Sequence, residues 1–571
     1  MLAILALQYD FKINSNSFKV TEVSKFNFPY EINPLYKKKV AYVCMEFGID
    51  QALKTYAGGL GYLAGSHMRS AFNLQQNVIG IGILWKYGYY DQLRKQDRTM
   101  EVAFEEKYYG FLEKTDIKFT IKVSKHDVWV TAYYLAPNIF NTAPIFFLTT
   151  ELTENDYLAK TITHRLYDAN PETRIAASIL LGQGTAKLLE CINWEPDVFH
   201  LNESHVLPLA YYLYDKYKNI DLVKNKIVFT THTPEEAGNQ KTNMLLLDKM
   251  GFFSNVPLTE VHSISKIENN ELNHTLTMMY LSRVTNGVSK MHLNTLIQLW
   301  KGLFDTSLIT SITNAQDFNY WNDSKMYDAL KKDNNIAITN IKQARKKALF
   351  EIVADQCGEI FDEKICTLVF AKRFTDYKRL DIFFHDMEKF ELLITNQKRP
   401  LQIIWAGKPY PMDYEAIGIF NKIVELCKSY KNCAILVGYE LKLSKLLKGG
   451  ADIWLNTPRV NHEASGTSGM TAAMNGAVNV STADGWFPEF SKDKVNSFLL
   501  PITDTNLPIH LQDDTDAANL YHLLNTEILP IYYDYPEHWI SIKKQSMKDI
   551  IPTFDSNRLA KEYYDKIYNN S

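Results

Sequence analysis

The sequence predicts a doubly wound α/β protein built as two Rossmann-like lobes, and three observations carry that prediction. Short apolar, β-branched runs recur along the chain, helical patterns separate them, and the runs are continuously hydrophobic rather than alternating. A strand covered by helices on both faces has no polar side, so unbroken apolar runs suit a parallel sheet. A polar, helix-breaking interval, "ITNAQDFNYWND", divides the runs into two sets, and each set makes a lobe.

Taken in order, the first set comprises "VAYVCMEF", "VIGIGILW", "IFFLTTEL", "DVFHLNE" and "KIVFTTHT". The second comprises "CTLVFAKR", "LQIIWAGK", "NCAILVGY", "ADIWLNT" and "GAVNVS". Between them "LTMMYLSRVTNGVSKMHLNTLIQLW" and "IKQARKKALFEIVADQC" read as mostly helical. The junction is placed at Asn314 to Asp323, which gives a first lobe of residues 1–318 and a second of residues 319–538. No internal repeat or low-complexity tract interrupts this plan.

Composition narrows the function class. With 62 basic and 65 acidic residues among 571, the formal charge is -3, so no electrostatic footprint for nucleic acid or an anionic membrane stands out. The six cysteines form no C-x-x-C pair and no zinc spacing, and they read as reduced core thiols. The opening "MLAILALQYD" lacks a basic leader and a cleavage site, and no run reaches the roughly 18 apolar residues of a membrane span. A soluble, cytoplasmic protein without a metal is expected.

Ligands of open α/β sheets bind beyond the carboxyl ends of the strands, and those ends are chemically rich here. "YAGGLGYLAGSHMRSA" sets Gly58, Gly59, Leu60 and Gly61 at the start of a helix, where backbone amides can approach an anion or a sugar. "HLNESH" presents Asn202 and Glu203, and "FTTHTPEEAG" presents His232. In the second lobe "AKRFTDYKR" carries Lys372, Arg373, Lys378 and Arg379, a phosphate clamp if the four cations converge. The loop "NHEASGTSGMTAAMNG" then sets small residues ahead of an Ala/Met run, which suits an anion at a helix start.

These segments, in this order over nearly the whole chain, resemble the α-glucan (glycogen, starch, maltodextrin) phosphorylase family of retaining glycosyltransferases, its short bacterial members above all. The resemblance rests on "YAGGLGYLAGSHMRSA", "THTPEEAG", "LSRVTNGVSKMH", "AKRFTDYKR" and "WLNTPRVNHEASGTSGM". It implies a GT-B architecture with the active site between the two lobes and a C-terminal helix, residues 539–571, returning to the first. It implies that Gly58, Gly59 and Leu60 flank the donor sugar and phosphate, and that His232 contacts the sugar near its anomeric carbon. Substrate contacts from Asn314, Glu463, Ser465 and Gly466 are implied too, as is phosphate binding by Arg373 and Lys378; Asn202 and Glu203 are expected as substrate contacts from their place at a strand end. Lys372, Thr467 and Ser468 would hold the phosphate of pyridoxal phosphate. The implied substrates are an α-glucan or maltooligosaccharide and phosphate or a sugar phosphate, and a homodimer is expected by resemblance alone.

One position departs from the pattern. The residue after "SGTSGM" is, in the family, the lysine that links covalently to pyridoxal phosphate; here it is Thr471, and no lysine follows until Lys492. A hydroxyl cannot form that link. Three readings stand: phosphorolysis with the cofactor bound non-covalently or absent, transfer from a nucleotide diphosphate sugar in the same cleft, or an inactive glucan-binding relative. Retention of His232, Arg373, Lys378 and Glu463 ranks them in that order. Rival chemistries are weaker: "DDTD" at Asp513 to Asp516 reads as a helix cap rather than a metal site, "NHE" lacks a second histidine, and Glu46 with Glu203 would make a glycosidase pair only at a suitable separation.

Overall fold

A computed structural model describes residues 26–267 and 269–570. The opening "MLAILALQYD" therefore lies outside the described residues. The first lobe is a nine-stranded sheet of β1 (Val40–Cys44), β2 (Val78–Ile83), β3 (Glu113–Val123), β4 (His126–Leu135), β5 (Ile145–Thr149), β6 (Val198–Asn202), β7 (Ile227–Thr230), β8 (Val284–Gly287) and β9 (Ile309–Ser311). Their spatial order is β9-β8-β7-β6-β1-β2-β5-β4-β3. The sheet is parallel from β9 through β5, and β4 and β3 are added antiparallel at one edge.

The second lobe is a parallel six-stranded sheet of β10 (Cys366–Ala371), β11 (Leu401–Ala406), β12 (Cys433–Leu436), β13 (Ile453–Asn456), β14 (Val478–Ser481) and β15 (Ser497–Leu499), in the order β12-β11-β10-β13-β14-β15. All ten expected runs are strands, and the central ones are buried along their whole length. The doubly wound class holds in both lobes. In each sheet the strand order reverses beside a central strand, β1 or β10, which opens the crevice where ligands of such folds bind.

Three expectations need correction. The interval taken as mostly helical contains β8 and is followed by β9, both short and both completing the first sheet. The C-terminal return begins later than residue 539. A helix, Pro536–Phe554, packs on the second lobe, with Trp539 stacked over Phe498 at 6.4 Å. Asp555 takes an extended backbone and caps a new helix, Ser556–Tyr563, and only this one docks on the first lobe. There Ser556 Oγ meets Ser70 Oγ at 2.6 Å, and Gln76 Nε2 donates to the Ala560 carbonyl. Finally, Asp513 does not cap a helix. It lies in the second turn of Ile509–Leu523, where Asp513 and Asp516 are buried against the Arg379 guanidinium.

The two lobes are tied by polar contacts between strand ends. The Tyr90 hydroxyl donates to the Pro409 carbonyl (2.8 Å), and Gln92 both donates to the Gly407 carbonyl and accepts from the Gly438 N–H. Glu440 accepts from Gln51 Nε2 (2.7 Å) and pairs with Lys54 across the cleft and Lys408 (2.7 Å) beside it. No helix among the described residues is long and apolar enough to cross a membrane.

Candidate active site between the lobes

Every sequence-chosen residue of the first lobe stands at the carboxyl end of a strand or in the connection that leaves it, Gly58, Gly59 and Leu60 at the far end of the loop after β1. After β1, buried Glu46 accepts from the N–H groups of Ala57 (2.7 Å) and Gly58 (3.1 Å) and from the Tyr167 hydroxyl (2.5 Å). It thereby fixes the glycine turn that opens helix α1 (Gly59–Asn73). Gly58 and Gly59 leave open space around them, whereas a side chain at Gly61 would collide with Tyr56 at 2.6 Å. The loop is thus bare where it faces the cleft and packed where it joins the lobe.

After β6 and β7 the structure separates residues that the sequence grouped together. His232 Nε2 donates to Asn202 Oδ1 (2.8 Å), whose own NH₂ donates to the Tyr42 hydroxyl (2.7 Å). Burial, with His292 nearby, pushes the His232 imidazole down to about 3, so it stays neutral at working pH. Glu203 accepts from the His232 N–H, the Thr233 hydroxyl and the Ser204 N–H. Its backbone sits at φ 75, in the left-handed region that a non-glycine residue enters at a cost. Asn202 and Glu203, expected as substrate contacts, are spent on holding His232. Glu46 and Glu203 are both committed to backbone donors, so neither is free for the paired-carboxylate glycosidase chemistry.

In the second lobe the four cations do not form one clamp. Arg379 is buried and bonded to Asp513 (3.0 Å), Asp516 (2.7 Å) and the carbonyls of Thr457 and Pro458, which makes it a framework residue. Lys378 pairs with Glu463 at 2.7 Å. Lys372 Nζ donates to Ser468 Oγ at 2.5 Å. Arg373 is exposed and has no hydrogen-bond or ion-pair partner among the described residues; Tyr377, Tyr89, Glu463 and Tyr167 hold it charged against the desolvation of the cleft. An unpaired guanidinium beside a Lys–Glu pair and a buried lysine is a site prepared for an oxyanion.

The loop between β13 and β14 completes the wall. Asp484 accepts from the N–H groups of Glu463 (2.8 Å), His462 (3.2 Å) and Gly485 (2.9 Å), and burial pushes its carboxyl up to about 7. Burial also works against ionised Glu463, yet Lys378, Lys372 and Arg373 hold its carboxyl below the ordinary range. Burial and Lys378 together push Lys372 down to about 7. Ser465 is buried with its carbonyl accepting from Trp486, and Gly466 takes φ +76. Across the cleft Asn314 is buried with Oδ1 unpartnered, and Ser289 Oγ donates to the Ala464 carbonyl at 2.6 Å. Glu46 and Asp484, which brace the two loops, escaped the sequence reading as braces because their partners are backbone amides that no motif displays.

The helix that begins within "SGTSGM" is short, Ser468–Ala473, so it offers an anion first-turn N–H groups rather than a long dipole. Thr471 is buried, and its hydroxyl donates to the carbonyls of Ser468 (3.0 Å) and Thr467 (3.4 Å) in its own turn. Lys372, Ser468 and Thr467 fit the phosphate of pyridoxal phosphate. Thr471 does not fit its covalent attachment.

Comparison with known sequences gives a consistent picture. The family model for carbohydrate phosphorylase matches residues 214–498, and that for the starch synthase catalytic domain matches residues 39–303. The chain is 31% identical to a maltodextrin phosphorylase of Thermococcus litoralis, over 94% of this chain and 71% of that one. It is 28% identical to a glycogen phosphorylase of Aquifex aeolicus, over 93% of this chain and 86% of that one. An uncharacterized protein of Methanocaldococcus jannaschii is 45% identical over its entire length.

Proposed function

The chain belongs to the α-glucan phosphorylase family, and from that premise we propose that it moves glucosyl units between an α-1,4-glucan and phosphate in the cleft between its lobes. The observation that carries the proposal is the cluster of unpaired Arg373 with the Lys378–Glu463 pair at the end of β10. Phosphate arriving at Arg373 competes with Glu463 for Lys378. The released carboxylate then accepts from sugar hydroxyls, so binding of one substrate prepares the contact for the other. Neutral His232, oriented through Asn202, presents its second ring nitrogen to the sugar, and the unpartnered Asn314 carbonyl accepts a further hydroxyl. With the Gly58 N–H held by Glu46, the first-turn N–H groups of Gly59 and Leu60 are the ones left to meet phosphate oxygens as the glycosidic bond breaks.

When pyridoxal phosphate is bound, its phosphate supplies a proton donor and acceptor to substrate phosphate. Lys372, Thr467 and Ser468 would hold it. A second reading, transfer from a nucleotide diphosphate glucose, is favoured by Thr471 and by the starch synthase match over the first lobe. Purified protein supplied with maltodextrin, phosphate and pyridoxal phosphate should release glucose 1-phosphate. Elongation of maltodextrin from a nucleotide diphosphate glucose, with no glucose 1-phosphate formed in the first assay, would replace the proposal by its alternative.

A further inference from the structure

Helix α2 (Leu441–Gly450) buries a lysine that none of this chemistry uses. Lys448 is 1% exposed, and its Nζ stands 3.7 Å from the centroid of the Trp321 indole and 5.9 Å from that of the Tyr62 ring. Among the described residues it has no hydrogen-bond or ion-pair partner. Of the other buried lysines of this lobe, Lys543 has no hydrogen bond among the described residues either but faces the Asp452 carboxylate. Lys342 donates to the carbonyls of Gly449, Ala451 and Asn475, and Lys346 pairs with Asp452 at 2.6 Å.

The surroundings of Lys448 are those of the missing attachment point. Asn475 Nδ2 donates both to the Trp321 carbonyl and to the Thr471 carbonyl, each at 2.8 Å, so the indole under Lys448 is tied to the turn that carries Thr471. Lys372, which bonds Ser468, is a close electrostatic neighbour of Lys448. Burial pushes the Lys448 amine well below the usual lysine range, and Lys372 and Lys445 add to the effect, which favours the free, nucleophilic amine. An amine of that kind, beside cations that hold an anion, reacts with an aldehyde carrying a phosphate. Trp321 and Tyr62 add the aromatic faces against which a pyridine ring packs.

We propose that Lys448 is the covalent anchor for a phosphorylated aldehyde, pyridoxal phosphate in this family, in place of the lysine that Thr471 replaces. The inference rests on the reading of Lys372 and Ser468 as the phosphate-holding end of that site. The Nζ lone pair adds to the aldehyde carbon, the carbonyl oxygen leaves as water with both amine hydrogens, and a C=N bond remains. Nothing is oxidised or reduced, and no other reactant is needed.

The test is to incubate the full chain with pyridoxal phosphate, reduce with borohydride and locate the adduct by peptide mass mapping. One adduct per chain is expected, on the peptide containing Lys448. Lys448→Arg keeps a long nitrogen-bearing side chain over Trp321 but cannot condense, so a folded Lys448→Arg protein should lose labelling by at least about tenfold. Adding Thr471→Lys to that variant should move the label to position 471. Lys372→Met should raise the half-saturating concentration by about tenfold or more without moving the label. Labelling spread over surface lysines, or centred on Lys445 or Lys372 with Lys448 bare, overturns the proposal, as does cofactor binding with no adduct. Glucose 1-phosphate release is measured separately. An adduct at Lys448 without phosphorolysis sinks the functional reading and keeps the anchor, and phosphorolysis with Lys448 unmodified does the reverse.

Discussion

Adjacent cations in one motif do opposite work here. Arg373 has no hydrogen-bond or ion-pair partner among the described residues, whereas Arg379 pairs with two buried carboxylates and donates to two carbonyls. Arg373→Ala should therefore leave the melting temperature unchanged and lower turnover roughly 100-fold, the scale of losing one preorganised charge-stabilising group. An unchanged rate would reassign Arg373 to the surface. Arg379→Ala leaves buried Asp516 with no cation and only the Thr503 hydroxyl, and Asp513 with Arg459 alone, and should cost about 3 kcal/mol of stability, read by denaturant unfolding. A second residue-level prediction concerns Lys372. Its folded pKa of about 7 lies far below that of an exposed lysine, so in the free protein it gains its proton only as pH falls through about 7. Sulfate, which does not itself titrate there, should bind more tightly below about pH 7 and take up a proton on binding. Titration calorimetry in buffers of differing ionisation enthalpy would show this, and an affinity flat across neutrality would mean that Lys372 does not hold the anion.

The loop between β13 and β14 stands or falls on its turn geometry. Gly485 has φ +59, and a side chain there would meet the Ser465 carbonyl at 2.3 Å. Gly485→Ala should cost about 1–3 kcal/mol and disturb the Asp484 bonds that orient Glu463, so activity should fall further than stability. Gly418 offers a control, since it lies in the helix Tyr414–Ser429 with nothing near its side-chain position. Gly418→Ala should stabilise by about 0.5–1 kcal/mol; equal effects on the two would refute the steric account. Element by element, what could be read beforehand was what periodicity carries. The ten buried strands announce themselves because both faces are apolar. The β3–β4 hairpin did not, because its two-residue turn uses Ser124 and Lys125, both at positive φ, instead of the Asn-Gly or Asp-Gly that signals such a turn. Val284–Gly287 is four residues inside a helix-like run, too short for a period to show. Thr471 was legible as a gap in a motif. Lys448 was not, since the rings beneath it come from the start of α1 and from the interlobe junction, and only the fold brings the three together.

At the scale of the molecule, the cleft exists because two lobes with separate sheets are clasped by buried polar contacts. Glu440 is the most connected of them, taking Lys54 and Gln51 from the first lobe and Lys408 from the second. Lys408 is 5% exposed and also donates to the Tyr90 carbonyl, so loss of Glu440 leaves a buried cation with one neutral acceptor. Glu440→Gln should then cost about 3 kcal/mol near neutral pH and raise hydrogen exchange at Gln51–Thr55 and Leu441–Gly450 together. The pH dependence follows from the sign of the shift. Burial alone would raise the Glu440 carboxyl, but Lys408 and Lys54 outweigh it and bring the group down from 4.5 to about 2. A folded-state pKa below the unfolded one means that the clasp adds stability above about 4.5 and loses it as pH falls from there towards 2. Thermal melts of wild type and Glu440→Gln should therefore be furthest apart at neutral pH and converge on acidification. A gap that stays constant with pH, or exchange that rises in only one lobe, would show that Glu440 supports its own loop and that the lobes are held by other contacts.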